Sequence, residues 1–358
     1  MTAAADTARA PARPLLCSNC LRDEGLRLDA QRLGWTDDGA CPRCGSNDGA
    51  KLDADRATYL AHRFFVIGSL HKTRFGGAPV IQFNDRRRTD IDLHGYHGED
   101  ALLLSDVLGV GFFYYGPPLW AVGEVEPLKA LEDEQTRAPV IDRVISEYPC
   151  YALTPDSTFY RLRKDVAAPN NPAEYDSPPD RFCGAGRLDA PDLPVLYGSA
   201  DLELCVHECR VTVEDIVHVA TLNTTRTLTL LDLTTVLEED VTSFESLDMA
   251  IHMLFLAGGQ SYPIARAIAA AAARAGLDGV LFPSFFSLLR TGQPFLETAY
   301  GLSTRAFPGA AAREARKVVA NVALFGRPIA DGRLTVSCVN RLYLRQAIYD
   351  LGFGPAAP

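Results

Sequence analysis

The chain has 358 residues, 47% of them hydrophobic and 22% charged, a globular composition with apolar surface enough for two or three domains. Lys and Arg number 35 against 45 Asp and Glu, a formal net charge of -10, which excludes a general electrostatic grip on a nucleic-acid backbone or an anionic membrane and leaves room only for a local basic site. The most apolar stretch, IARAIAAAAARAG, is broken by Arg266 and Arg274 well short of the ~18 uncharged residues of a membrane span.

The opening MTAAADTARAPARPLL lacks the continuous apolar run of a secretory signal. Residues 1–14 read as a disordered tail, a transit peptide being the weaker alternative, and the expected compartment is the cytoplasm. Nine cysteines are too sparse for a disulfide scaffold. Four of them pair at short spacing: Cys17-Ser-Asn-Cys20 and Cys41-Pro-Arg-Cys44. Each CxxC turn offers two thiolates to one side of an ion, so residues 15–52 are predicted to form a zinc ribbon with one structural Zn2+. Four thiolates leave no open position for water, and the role is to hold a small domain together. Arg22, Arg27, Arg32 and Arg43 are offset by Asp23, Glu24, Asp29, Asp37, Asp38 and Asp48, so the ribbon carries no basic stripe for DNA.

Residues 53–126 are predicted to be an α+β accessory region. FFVIGSL, PVIQF, ALLLSDVLGV and FFYYGPPLWAVGEV read as short strands and turns. Gly109-Val-Gly111 lacks the third glycine and the following helix of a dinucleotide loop. PLKALEDEQTRAPVIDRVISEYP has apolar residues at helical spacing and predicts a connecting helix over 127–150. From 151 to 358 the pattern is α+β. FYRLRK and PVLYGSA read as strands, Ser199 as the cap of a helix beginning ADLELCVHECR, TLTLLDLT as a strand, and IARAIAAAAARAG as a helix stopped by Gly276. GVLFP, KVVANVALF and RLTVSCV supply further strands.

Four ordered blocks carry a resemblance: FYRLRK, GAGRLDAPDLPVLYGSADLELCVHE, YPIARAIAAAAARAGLDGVLFPS and NVALFGR. In this order they resemble the RES (Arg-Glu-Ser) domain, a family of bacterial NAD-consuming toxins whose fold is similar to ADP-ribosyltransferases. The resemblance implies an α+β domain with a mixed β core. It implies an enzyme that cleaves NAD+ between nicotinamide and ribose, by phosphorolysis with inorganic phosphate to nicotinamide and ADP-ribose 1''-phosphate. Hydrolysis and transfer of ADP-ribose to a protein are the alternatives. A cognate antitoxin and self-association are partners it leaves open.

Matched residue by residue, the family's arginine falls on Arg161, its Gly-Arg pair on Gly186-Arg187, its tyrosine on Tyr197, its glutamate on Glu208 and its serine on Ser284. Catalysis is thereby expected of Arg161, Glu208 and Ser284, and NAD+ binding of Arg161, Arg187 and Tyr197. Leu188-Asp189 departs from the family pattern, and so does the long stretch 285–320 between the serine and NVALF. The chemistry agrees: expelling neutral nicotinamide leaves positive charge on the ribose, which calls for a carboxylate beside the sugar, guanidinium groups for the pyrophosphate and an aromatic wall. Phosphorolysis also calls for a second anion site, for which Ser284 with Arg187 or Arg290 are the candidates. Taken singly, Arg161 in a run with Arg163 and Lys164 reads as a surface strand, Glu208 as solvated, Tyr197 as core and Ser284 as a turn cap.

Cys205, His207 and Cys209 do not converge on one ion, because His207 is rotated by roughly 200° from Cys205 on a helix. Two small buried thiols are expected there. Arg88 and His94 have the spacing of HEPN ribonucleases, but their flanks DRRRTD and HGYHG read as loop or strand where that motif needs helix. A further reading makes the first 150 residues a recognition module for the enzymatic half.

Overall fold

The computed structural model describes residues 13–293 and 309–356, and between them the backbone of 298–299 and 302–303. The chain divides into two compact units. Unit 1 comprises Met1–Lys72, Gly77–Pro117 and Tyr349–Pro358; unit 2 comprises Thr73–Gly76 and Pro118–Ile348.

In unit 1, β1 (Leu16–Cys17) runs into a 3-10 turn, Ser18–Cys20, and α1 (Glu24–Leu33) follows. Asp23 caps α1 by accepting the Leu26 N–H at 2.8 Å. β2 (Lys51–Leu52) returns antiparallel to β1 with Lys51 opposite Cys17. Next come α2 (Ala54–Ala61), a π-helical turn His62–Val66 and a 3-10 turn Ile67–Ser69. β3 (Leu70–Lys72) pairs with β4 (Gly77–Pro79), and β5 (Ile81–Asn84) pairs across α3 (Tyr96–Leu108) with β6 (Gly111–Tyr114). FFVIGSL and ALLLSDVLGV, expected as strands and turns, are therefore helical. In the first, Phe64, Phe65 and Val66 are all buried, and a short apolar run buried on every side shows no period that separates strand from helix. In the second, Ala101 and Leu104 bury one face and Gly109 ends the helix at φ +67°, where glycine alone is unstrained. Leu16, Leu26 and Leu52 share a core with Leu60, Phe64, Phe65, Leu104 and Phe112. The predicted boundary at residue 52 thus crosses a single core.

In unit 2 the predicted connecting helix is two, α4 (Glu126–Glu132) and α5 (Arg137–Glu147). Their Leu128, Leu131, Val140 and Val144 are buried in one core with α7 (Leu247–Leu256) and α8 (Tyr262–Arg274), so they belong to the body of the unit and do not connect. α7 is buried almost all round, a pattern that offers no amphipathic period, and the sequence reading assigns it no element.

One sheet of eight strands organises the unit. Its members are β7 (Cys150–Leu153), β8 (Thr158–Lys164), β9 (Val195–Ser199), β10 (Val217–Thr224), β11 (Leu228–Asp232), β12 (Gly279–Pro283), β15 (Ala320–Phe325) and β16 (Leu334–Leu342). β13 (Thr298–Ala299) and β14 (Leu302–Ser303) pair only with each other. The order is β16-β10-β8-β9-β15-β12-β11-β7, antiparallel throughout except β11 beside β12. Of these, β7 and β10 are the strands with no counterpart in the sequence reading. Three short helices, α6 (Leu202–Glu208), α9 (Ser287–Thr291) and α10 (Ala310–Ala315), complete the described elements used below. The sheet is closed everywhere but at its middle. β8 and β9 share a single register pair, Tyr160 opposite Ser199, and part beyond it.

Candidate active site and metal centre

Where β8 and β9 part, backbone groups lose their ladder partners and something else must satisfy them. Arg161 does so: its Nη1 donates to Tyr197 O on β9 at 2.9 Å and its Nη2 to Asp176 O at 3.0 Å. Arg161 is buried and lines a cavity of about 340 Å³ with Arg187, Tyr197, Glu208, Tyr262 and Asn321. Burial, reinforced by the Arg163 charge, lowers the Arg161 pKa to about 10, which leaves it cationic at neutral pH. Its Nε has no hydrogen-bond partner among the described residues.

Glu208 closes α6. Asp201 caps that helix, its carboxylate accepting the Leu204 N–H at 3.0 Å; the expected cap, Ser199, instead donates to Ala320 O on β15. At the other end the Glu208 Oε1 accepts from Ser284 Oγ at 2.6 Å and from Asn321 Nδ2 at 2.6 Å. Two donors on one oxygen fix the carboxylate and leave Oε2 for a ligand. Ser284 is fully buried, just past β12, and does not itself line the cavity. Its hydroxyl is committed to Glu208, which corrects the expectation that it donates to a phosphate.

Tyr197 stands on β9. Its hydroxyl donates to Asp189 Oδ1 at 2.9 Å and accepts the Leu188 and Asp189 N–H groups at 2.8 and 3.2 Å. Burial and the Asp189 charge push that phenol well above its ordinary range. Gly186 is glycine for the same reason: a Cβ there would lie 2.0 Å from Asp189 Oδ1. Asp189, a departure from the family pattern, is therefore the residue that orients the Tyr197 side chain. Arg187 stacks over the Tyr262 ring at 4.9 Å and donates to Ser261 Oγ and to the carbonyls of Leu254 and Ala257. Like Arg161, it supplies charge at the wall, with its Nη groups already engaged by protein.

Arg290 does not line the cavity. It pairs with Asp201, at 2.7 Å, and with Glu203 at the start of α6. Cys205, buried, and Cys209, half-buried, line the cavity and donate to Tyr160 O and Leu162 O; desolvation raises both thiols, Cys205 to about 12. His207 stacks on Phe286 instead. Arg88 and His94 stand in the segment between β5 and α3, outside any helix, where the ribonuclease motif would need one. Among the residues of the site, Asn321 and Tyr262 were missed by sequence reasoning, although each heads a block of the resemblance.

In unit 1 the sulfurs of Cys17, Cys20, Cys41 and Cys44 lie within 4.8 Å of one another. Three of the separations are 4.0, 3.5 and 3.6 Å. A metal–sulfur length of about 2.3 Å places tetrahedral ligands about 3.8 Å apart, so the four could hold one metal ion. The fully buried Lys51 stands behind the second knuckle and spends all three N–H groups on the carbonyls of Ser46, Asn47 and Gly49. No other group of this kind occurs among the described residues, and no helix among them is long and apolar enough to cross a membrane.

Residues 158–322 match the RES domain. Unit 2 carries a RES domain. The match begins at the strand of Arg161 and ends just after Asn321, so it encloses the polar groups of the cavity. The crystal structure of the M. tuberculosis MbcT-MbcA toxin-antitoxin complex is similar over 59% of this chain and 94% of that chain, with 18% identity and a TM-score of 0.32. No curated protein matches the sequence.

Proposed function

We propose that the RES domain cleaves NAD+ between nicotinamide and ribose, with Glu208 as the residue that stabilises the cationic sugar. The observation that carries this reading is the carboxylate itself: one oxygen is fixed by Ser284 and Asn321, and the residue borders a cavity with two guanidinium groups and two tyrosines. As the C1–N bond breaks, its electron pair leaves with nicotinamide, which departs neutral, and positive charge develops on the ribose. A fixed carboxylate beside that charge favours the transition state over the ground state. Arg161 and Arg187 set a positive field for the pyrophosphate, and Tyr197 and Tyr262 offer faces for the flat rings.

The nucleophile that then joins C1 decides the product. Phosphate gives ADP-ribose 1''-phosphate, water gives ADP-ribose, and a protein side chain gives an ADP-ribosylated protein. With Ser284 committed to Glu208 and Arg290 in its own ion pairs, Arg187 remains the candidate for holding inorganic phosphate. The family resemblance adds a toxin role and a cognate antitoxin to the same proposal. In unit 1 the donor set of four thiols matches Zn2+, held structurally. Incubating the protein with NAD+ in phosphate and in phosphate-free buffer tests the reaction. Nicotinamide release that saturates with phosphate is expected; ADP-ribose alone would mean hydrolysis, label on protein would mean transfer, and intact NAD+ throughout would overturn the reading.

A further inference from the structure

Residues 343–348 leave β16 without helix or strand, and Tyr343 and Ile348 stand in solvent. The next residues, 349–356, are also without regular structure, yet unit 1 holds them through a set of matched contacts. Three residues on one face of α1, Gly25, Asp29 and Arg32, meet them from one side, and Arg63 of the π-helical turn and Gly68 of the following turn meet them from the other.

The contacts read the backbone of an extended peptide. Arg63 Nη2 donates to Leu351 O at 2.5 Å, and Arg32 Nη1 to the same carbonyl at 3.4 Å. Two residues on, the Phe353 N–H donates to Asp29 Oδ2 at 3.3 Å. Asp29 is buried and is itself flanked by Arg32 at 3.2 Å and Arg63 at 3.7 Å. Arg63 also pairs with Asp350 at 2.7 Å. Side chains add selectivity. The Phe353 ring lies over Gly25, where a Cβ would come within 2.8 Å of it, and the Arg32 guanidinium sits 5.8 Å from the ring centroid. Gly354 crosses Gly68 so closely that a Cβ on either would lie 2.4 Å from the other's Cα. A cavity of about 390 Å³ remains open beside Tyr349, Asp350 and Leu351.

A coil that merely covers a core would bury apolar side chains. Here Pro355 is buried, but Tyr349 and Leu351 stay exposed and Phe353 keeps 37% of its surface, so recognition rests chiefly on a carbonyl, an N–H, one ring and two glycines. Those are the elements by which a groove recognises a short linear peptide. We propose that unit 1 contains a peptide socket whose ligand is the segment 349–356, held detachably in the same chain, and that the socket accepts the same segment from a second copy of the chain.

Two variants separate the halves of this device in the full-length protein. Phe353→Ala weakens the segment and leaves the socket intact; Gly68→Ala closes the socket and leaves the segment intact. A labelled peptide of residues 347–356 should bind Phe353→Ala at least tenfold tighter than wild type, because the tethered segment competes at an effective concentration of about millimolar. Adding Gly68→Ala to that variant should abolish binding. The two single variants, mixed, should form a dimer in sedimentation that neither forms alone. Equal binding of the peptide to wild type and Phe353→Ala, or to neither, overturns the socket; peptide binding without a mixed dimer overturns the exchange between copies. Where Phe353→Ala loses its cooperative thermal transition, Asp350→Ala, altered at an exposed side chain, serves in its place, and an unchanged peptide affinity there overturns the proposal.

Discussion

At the level of single side chains, the order of the four sequence blocks led to Arg161, Arg187, Tyr197 and Glu208, which line one cavity. The roles were less legible. Both arginines were expected to hold the pyrophosphate, and each donates to backbone carbonyls, because the parting of β8 from β9 and the end of α7 leave acceptors that no linear pattern reveals. Asn321 was hidden by its setting at the head of an apolar strand. Its bond to Glu208 has a measurable consequence. Glu208→Gln should lower NAD+ turnover by on the order of 100-fold or more with substrate binding retained. Asn321→Ala should lower kcat with little change in KM, and Asn321→Asp should do more. It sets a second carboxyl against the first, one of the pair then holds a proton, and the acid limb of the kcat–pH profile should move upward. An unchanged profile in Asn321→Asp would remove Asn321 from the positioning of Glu208. The cavity cysteines give a simpler check: with its thiol raised to about 12, native Cys205 should resist alkylation at pH 7 while exposed Cys150 and Cys338 react, as read by mass spectrometry.

Among the elements, the strands β8, β9 and β12 were read correctly although β10, β-branched and alternately buried, was missed, and α8 was read through its Ala-rich face and its stop at Gly276. Two failures, the turn after α2 and α7, are elements whose period is erased by burial, whereas α3 buries one face and was misread although that face was present in its sequence. The α6 cap shows how near neighbours compete. Ser199 and Asp201 are both good capping types, and β15 claims the serine hydroxyl, leaving the helix to Asp201. Asp201→Ala should cost about 1 kcal/mol of stability in unit 2, measured by urea unfolding. Burial alone would raise the Asp201 carboxyl, but Arg290 and the backbone N–H groups of α6 hold it below the ordinary carboxylate range. A carboxyl lowered on folding stabilises above its unfolded pKa, about 4, and that contribution disappears as pH falls through the folded value. Asp201→Asn keeps the cap and loses the ion pair, so its stability should fall less than wild type between pH 6 and pH 3. A parallel fall in both proteins would show that the Asp201 charge contributes nothing.

On the scale of the whole molecule, the two chemistries are divided between units. The four cysteines lie in unit 1 and every residue lining the cavity lies in unit 2. Elemental analysis should find one zinc per chain, and a strong chelator should unfold unit 1 while nicotinamide release from NAD+ persists. Loss of both together would mean that unit 1 governs catalysis. The strand order has another outcome, in time. β15, the last strand but one, is inserted between β9, which ends at Ser199, and β12, so the sheet cannot be completed in the order in which it is translated. Arg161 and Glu208 are made early and Asn321 late, and at 5–20 residues per second roughly 160 residues between the first and the last take about 8–30 s. From the synthesis of Glu208 until that of β15, the nascent polypeptide has a glutamate without its Asn321 donor and a sheet without its bridging strand. The site proposed for NAD+ cleavage is thus completed last, because of where one strand falls in the sequence.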